Sequence, residues 1–160
     1  MLVGEQPGDE EDLRGHPFVG PAGRLLDQAL EVAGLSRGGI FITNAVKHFK
    51  WEPRGKRRLH KRPAAGEIKA CNVWLSEEIG SIQPKVIVAL GATALRALVG
   101  KTLSIEAARH QRLLHLSGAR ILATYHPSAV LRAEGERARE LRSILVGDLR
   151  RARESCADTQ

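Results

Sequence analysis

Residues 55–63 read GKRRLHKRP, five cations in nine positions around one histidine, His60. Lys and Arg clustered in this way suit an anionic partner, and imidazole is a side chain that can act as a base or nucleophile near neutral pH. Lys56, Arg57, Arg58, Lys61 and Arg62 would grip phosphates, and like charges around His60 disfavour its protonated form. The same run also describes a solvated phosphate-binding loop in which the histidine is incidental. Four other stretches carry groups with chemistry. GEQPGDEED (4–12) offers Glu5, Gln6 and Gly8, and GHPFVGPAG (15–23) offers Phe18. TNAVKH (43–48) offers Asn44 and His48, and YHPSA (125–129) offers His126 and Ser128. Taken singly, each has a plain structural reading: Asn44 a turn or cap, Phe18 a satellite core residue, His-Pro-Ser a helix start.

What makes these stretches a set is their place in the pattern of elements. Apolar runs at Met1–Val3, Ile40–Thr43, Val86–Leu90 and Arg120–Thr124 read as strands, and KVIVALGA is continuous and β-branched, as in a strand buried on both faces. Helical spacing occupies 24–35, ending at Gly34, then 65–82, 91–100 and 128–153, with a weak point at Gly135. Strand and helix alternate four times, which predicts an α/β layered domain over residues 1–153 with a mostly parallel four-stranded sheet, followed by a polar tail at 154–160. Sites in such sheets lie beyond the carboxyl ends of the strands. GEQPG, NAVKHF, GAT and HPS each follow a strand, and the basic stretch falls in one long polar loop at 50–66.

Bulk properties agree with a basic globular domain. The 160 residues are 42% hydrophobic and 27% charged, with net charge +7 and a pI near 10.0. Nucleic acid is the leading partner for such a domain, although a high Arg content alone also produces this balance. Two cysteines, Cys71 and Cys156, make neither a disulfide framework nor a four-ligand metal site. No apolar run reaches the ~18 residues of a membrane span and no signal-peptide pattern opens the chain, which predicts a cytoplasmic protein. A strand starting at residue 1 predicts a chain that begins late.

The set GEQPGDEED, GHPFVGPAG, FITNAVKHFK, KRRLHK and YHPS resembles the uracil-DNA glycosylase superfamily, and within it the UdgX type, relatives of the iron–sulfur (family 4) enzymes. The resemblance runs from about residue 2 to 150, and KRRLH is the stretch that marks the UdgX type. It implies a three-layer α/β/α sandwich acting, as a monomer, on uracil in DNA, preferably single-stranded. It places Phe18 against the base, Asn44 on its Watson–Crick edge, His126 at the departing O2, and Glu5 by the sugar. Backbone N–H groups near Gln6 and Gly8 meet uracil or a flanking phosphate. Lys56, Arg57, Arg58, Lys61 and Ser128 bind DNA phosphates. His60 is implied to attack C1′ itself and form a stable protein–DNA adduct. Family relatives carry a [4Fe–4S] cluster with a Cys-x-x-Cys pair ahead of the first strand. That pair is not in this sequence, and His48 and Cys71 match the remaining ligand positions, so the cluster is expected to be absent or incomplete in these 160 residues. Cys71 equally suits a buried helix position. Two rivals stand beside this reading: a conventional glycosylase that turns over, and an inactive truncated DNA-binding module.

Overall fold

The computed structural model of the chain describes residues 1–157. Its centre is a sheet in the order β2 (Ile42–Asn44), β1 (Leu2–Gly4), β5 (Val86–Leu90), β7 (Arg120–Thr124), β6 (Leu113–Leu114). The first four strands are parallel, and β6 joins β7 antiparallel. The sheet thus has five strands rather than the expected four. A two-residue edge strand has no periodicity to read, so β6 left no mark in the pattern.

Alternation along β5 explains the layers. Val86, Val88 and Leu90 point to one face, where Leu25, Leu26 and Leu30 of α2 (Pro21–Ala33) and Leu141, Leu145 and Leu149 of α7 (Gly135–Ala157) bury them. Ile87 and Ala89 point to the other face, against Leu75 and Ile79 of α3 (Ala65–Ile82) and Leu95 of α4 (Ala92–Val99). A strand covered on both faces has no polar side to show, which is why KVIVAL reads as unbroken apolar sequence. The result is the three-layer sandwich. Helix α2 stops where Gly34 enters the left-handed region at φ 73°, as the glycine after the helical spacing predicts.

Three departures bear on the site. Residues 51–60 are a β-hairpin rather than a loop, β3 (Trp51–Arg54) against β4 (Arg57–His60), with Trp51 opposite His60 and Gly55 turning at φ 59°. Its cationic side chains hide the period-2 signal, and positive φ at the first turn position is what a tight hairpin asks of Gly55. The acidic residues after Gly8 form a short helix, α1 (Asp9–Arg14), and a second short helix, α5 (Ile105–Arg109), precedes β6. The C-terminal helical stretch divides as its glycine implied, into α6 (Pro127–Arg132) and α7, with Gly135 at φ 55°. Helix α7 runs through Glu154–Ala157, the first part of the expected tail, and 158–160 lie outside the described residues. No helix among the described residues is long and apolar enough to cross a membrane.

Candidate active site

The carboxyl ends of β1, β2, β5 and β7, with the hairpin and α1, surround a cavity of about 860 Å³. Glu5, Gln6, Gly8, Phe18, Asn44, His60, His126 and Ser128 all line it, so stretches far apart in the chain converge as the strand-end rule requires. Lys56, Arg57, Arg58 and Lys61 do not line it; Arg62 and Arg132 do.

Each wall group is held in a definite way. Asn44 at the end of β2 is 5% exposed, and its Oδ1 has no hydrogen-bond partner among the described residues. Gly4 makes room for it, because a Cβ there would collide with Asn44 Oδ1 and Phe18 Cζ. The Phe18 ring is 5% exposed and lies 5.6 Å from the His126 ring at 32°. His126 caps α6, its Nδ1 accepting the Ser128 N–H at 3.1 Å. A ring nitrogen that accepts carries no proton, so in the neutral ring the proton sits on Nε2. Burial lowers the His126 pKa from 6.5 to about 4, so the imidazole is neutral at pH 7 and still has one N–H to give.

His60, at the end of β4, meets a carboxylate rather than a cation: its Nε2 is 3.1 Å from Glu5 Oε1. The other Glu5 oxygen accepts the Thr93 hydroxyl, and Arg62 Nε lies 3.8 Å from it. Burial alone would raise the Glu5 pKa, but the hydrogen bonds from His60 and Thr93, with the charges of His60 and His126, hold it below its ordinary value. The fold thus sets a carboxylate against the imidazole, a neighbour that the run of cations in the sequence does not show.

Gln6 and Gly8 do structural work here. The Gln6 amide bonds three backbone groups at 3.2 Å each, Lys50 O, Lys50 N and Lys61 O, and so fastens both strands of the hairpin beside His60. The Gly8 N–H is taken by Glu11 Oε2 at 3.1 Å. Arg58 is likewise engaged: Nε donates to Asp9 Oδ1 and Nη1 to Asp12 Oδ2, each at 2.6 Å, and the guanidinium lies 5.2 Å from the Phe49 ring centre and 5.6 Å from that of Trp51. It ties the hairpin to α1. Lys61 pairs with Glu52 at 3.2 Å on the surface.

Cys71 and His48 do meet, Sγ to Nδ1 at 3.8 Å, where Cys71 packs with Val46 and Ile68, and neither residue lines the cavity. His48 Nε2 lies 3.8 Å from Glu67, whose carboxylate is held below its ordinary pKa by the Lys50 hydrogen bond first and the Ala64 N–H next. A four-iron cluster takes four ligands, normally thiolates. Among the described residues no group of three or more His, Cys, Asp or Glu is arranged to hold a metal, so these residues alone do not fit a cluster. Cys156 is exposed near the end of α7.

The sequence pattern gave no role to Thr93 or Glu11, and placed Arg62 only among the cations that would grip phosphates. Thr93 belongs to the GAT that follows β5, so its position was visible although its partner was not. Glu11 stands three residues after Gly8, the spacing at which a first-turn carboxylate reaches back to a helix N-terminus.

The sequence matches the Uracil DNA glycosylase superfamily over residues 1–150, and the chain belongs to that family, whose reaction is cleavage of an N-glycosidic bond. Among its relatives is a Type-4 uracil-DNA glycosylase of Thermotoga maritima, 42% identical over 96% of this chain and 75% of that protein. Proteins of the same name from Pyrobaculum aerophilum and Archaeoglobus fulgidus are 38% and 32% identical, over 94% and 100% of this chain and 79% and 78% of theirs.

Proposed function

We propose that the protein excises uracil from DNA, preferably single-stranded, and that His60 then captures the sugar as a covalent adduct. The observation that carries the reading is the buried, unpartnered Asn44 Oδ1 at a cavity wall beside the Phe18 ring. A buried acceptor without a donor is costly, and the N3–H of an extruded uracil supplies one while the Asn44 amide N–H₂ meets O4. The base enters the cavity flipped from its strand. Phe18 lies against its face, and the His126 Nε2–H aims at O2, where negative charge gathers as the bond breaks.

In the chemical step the C1′–N1 electron pair leaves with uracil. A lone pair on the His60 ring forms the new bond to C1′, and the resulting imidazolium sheds its N–H proton toward Glu5 or solvent. Uracil regains a proton from solvent. The Glu5 carboxylate serves both cations, the oxocarbenium-like sugar and the imidazolium. Arg62 and Arg132 at the mouth, with Ser128, Lys56 and Arg57, receive the flanking phosphates. Lys61 joins them on giving up Glu52, whereas Arg58 contributes only by releasing Asp9 and Asp12.

A second reading keeps the same pocket and lets water attack C1′, with turnover. The names of the relatives favour it, and the KRRLH stretch favours capture, as in the UdgX type. Single-turnover assays on oligonucleotides holding one uracil, thymine or cytosine test the shared pocket. The wild type acts on uracil alone, and Asn44→Ala loses at least about tenfold in rate by leaving the uracil edge unpaired. An Asn44→Ala protein as fast as wild type overturns the assignment.

A further inference from the structure

We infer that Glu11 is a positioning residue that sets the Phe18 ring by holding the backbone on its C-terminal side; the consequence for catalysis rests on the pocket reading above. Phe18 has φ 53°, a left-handed conformation that a non-glycine residue adopts only at an energetic cost. Such an outlier persists only where its surroundings over-determine it, and here they do. Glu11 Oε1 accepts the next two backbone N–H groups, Val19 at 3.0 Å and Gly20 at 2.7 Å. Its Oε2 accepts Gly8 N–H at 3.1 Å. One carboxylate therefore joins the loop after β1 to the loop that carries the ring.

Two glycines are shaped around it. A Cβ on Gly8 would come within 2.6 Å of Glu11 Oε2, and one on Gly20 within 3.0 Å of Oε1. On the other side of Phe18, Arg37 donates to the Pro17 carbonyl at 2.8 Å and pairs with Asp27. A Cβ on Gly23 would strike the Phe18 carbonyl, which lets α2 begin close beneath the turn. Phe18 is thus clamped from both sides, with its ring left facing His126 and the base.

Glu11→Gln keeps size and removes one acceptor, so an amide N–H₂ must face a backbone N–H. Two readouts separate positioning from general stability. In protein labelled with 4-fluorophenylalanine at its three Phe positions, the ¹⁹F line of Phe18, assigned through Phe18→Leu, broadens or moves in Glu11→Gln while those of Phe41 and Phe49 stay. In single-turnover uracil assays Glu11→Gln slows the reaction on the order of tenfold, and added to Phe18→Ala it costs nothing more. Should Glu11→Gln fail to fold, Arg37→Ala answers by the same two criteria. An unmoved Phe18 line, or losses that add in the double variant, overturns the inference. If the wild type has no action on uracil DNA, the functional reading fails, and the fluorine spectrum still decides the role of Glu11.

Discussion

Glu5→Gln is the substitution from which the most can be worked out. The carboxylate sits with His60 Nε2 at 3.1 Å, the Thr93 hydroxyl on its other oxygen and Arg62 at 3.8 Å. Glutamine keeps the shape and one acceptor, so Thr93 or His60 keeps a partner, but the negative charge is gone. Hydrogen bonds to a charged group are worth about 1.5–3 kcal/mol. A unit charge 4 Å from a developing cation contributes about 4 kcal/mol at an effective dielectric constant of 20. Because these overlap, about 3 kcal/mol is a fair expectation for the chemical step, roughly a hundredfold in rate. Binding of the oligonucleotide should hold or tighten, since an anion is removed from a cavity whose lining, with Arg62 and Arg132, is to receive phosphates. The assay is single-turnover loss of the glycosidic bond with enzyme in excess, beside a binding titration of a non-cleavable oligonucleotide. A chemical rate within threefold of wild type would refute the placing of Glu5 against the sugar.

Gln6→Leu removes three hydrogen bonds to the hairpin, so detergent-stable adduct should fall about tenfold while uracil release falls less. Equal losses in both would show that Gln6 does not act through His60. His126 gives a pH signature for stability. Its folded pKa of about 4 lies below the ordinary 6.5, so between those values the unfolded chain binds a proton that the fold refuses. Stability from this source is complete above pH 6.5 and falls by up to about 3 kcal/mol as pH drops to about 4, a slope that urea titrations should find and that His126→Asn should flatten. Glu5, whose folded pKa is lowered, adds its loss only below 4.5.

The sequence carried the layers plainly because each core strand and helix has a period set by burial. Helix α3 runs Ala65–Ile82, the bounds its spacing predicts, and the four parallel strands lie where the apolar runs fall. Residues marked out by type and place at a strand end, such as Asn44 and His126, were also legible, and both line the cavity. What stayed hidden was pairing. Arg58 reads as one more cation for phosphate, and only the fold brings Asp9 and Asp12 within 2.6 Å of it. Gln6 reads only as a backbone N–H near the base or a flanking phosphate, and nothing in the sequence shows that its side-chain amide fastens a hairpin 44 and 55 residues away. Charge in a linear run says nothing of the carboxylate that folding sets against His60. The hairpin itself escaped notice because a strand pair outside the main core buries too little apolar surface to show alternation.

The central claim is that the His60 ring and the uracil pocket share one cavity and one reaction. It is tested most directly by incubating the protein with a single-stranded oligonucleotide carrying one uracil and resolving the product after boiling in detergent. The account predicts a protein–DNA band of one-to-one mass with the wild type, and none with His60→Ala, while His60→Ser releases free uracil with turnover. A band that persists in His60→Ala, or a wild type that only releases uracil through many cycles, would contradict it.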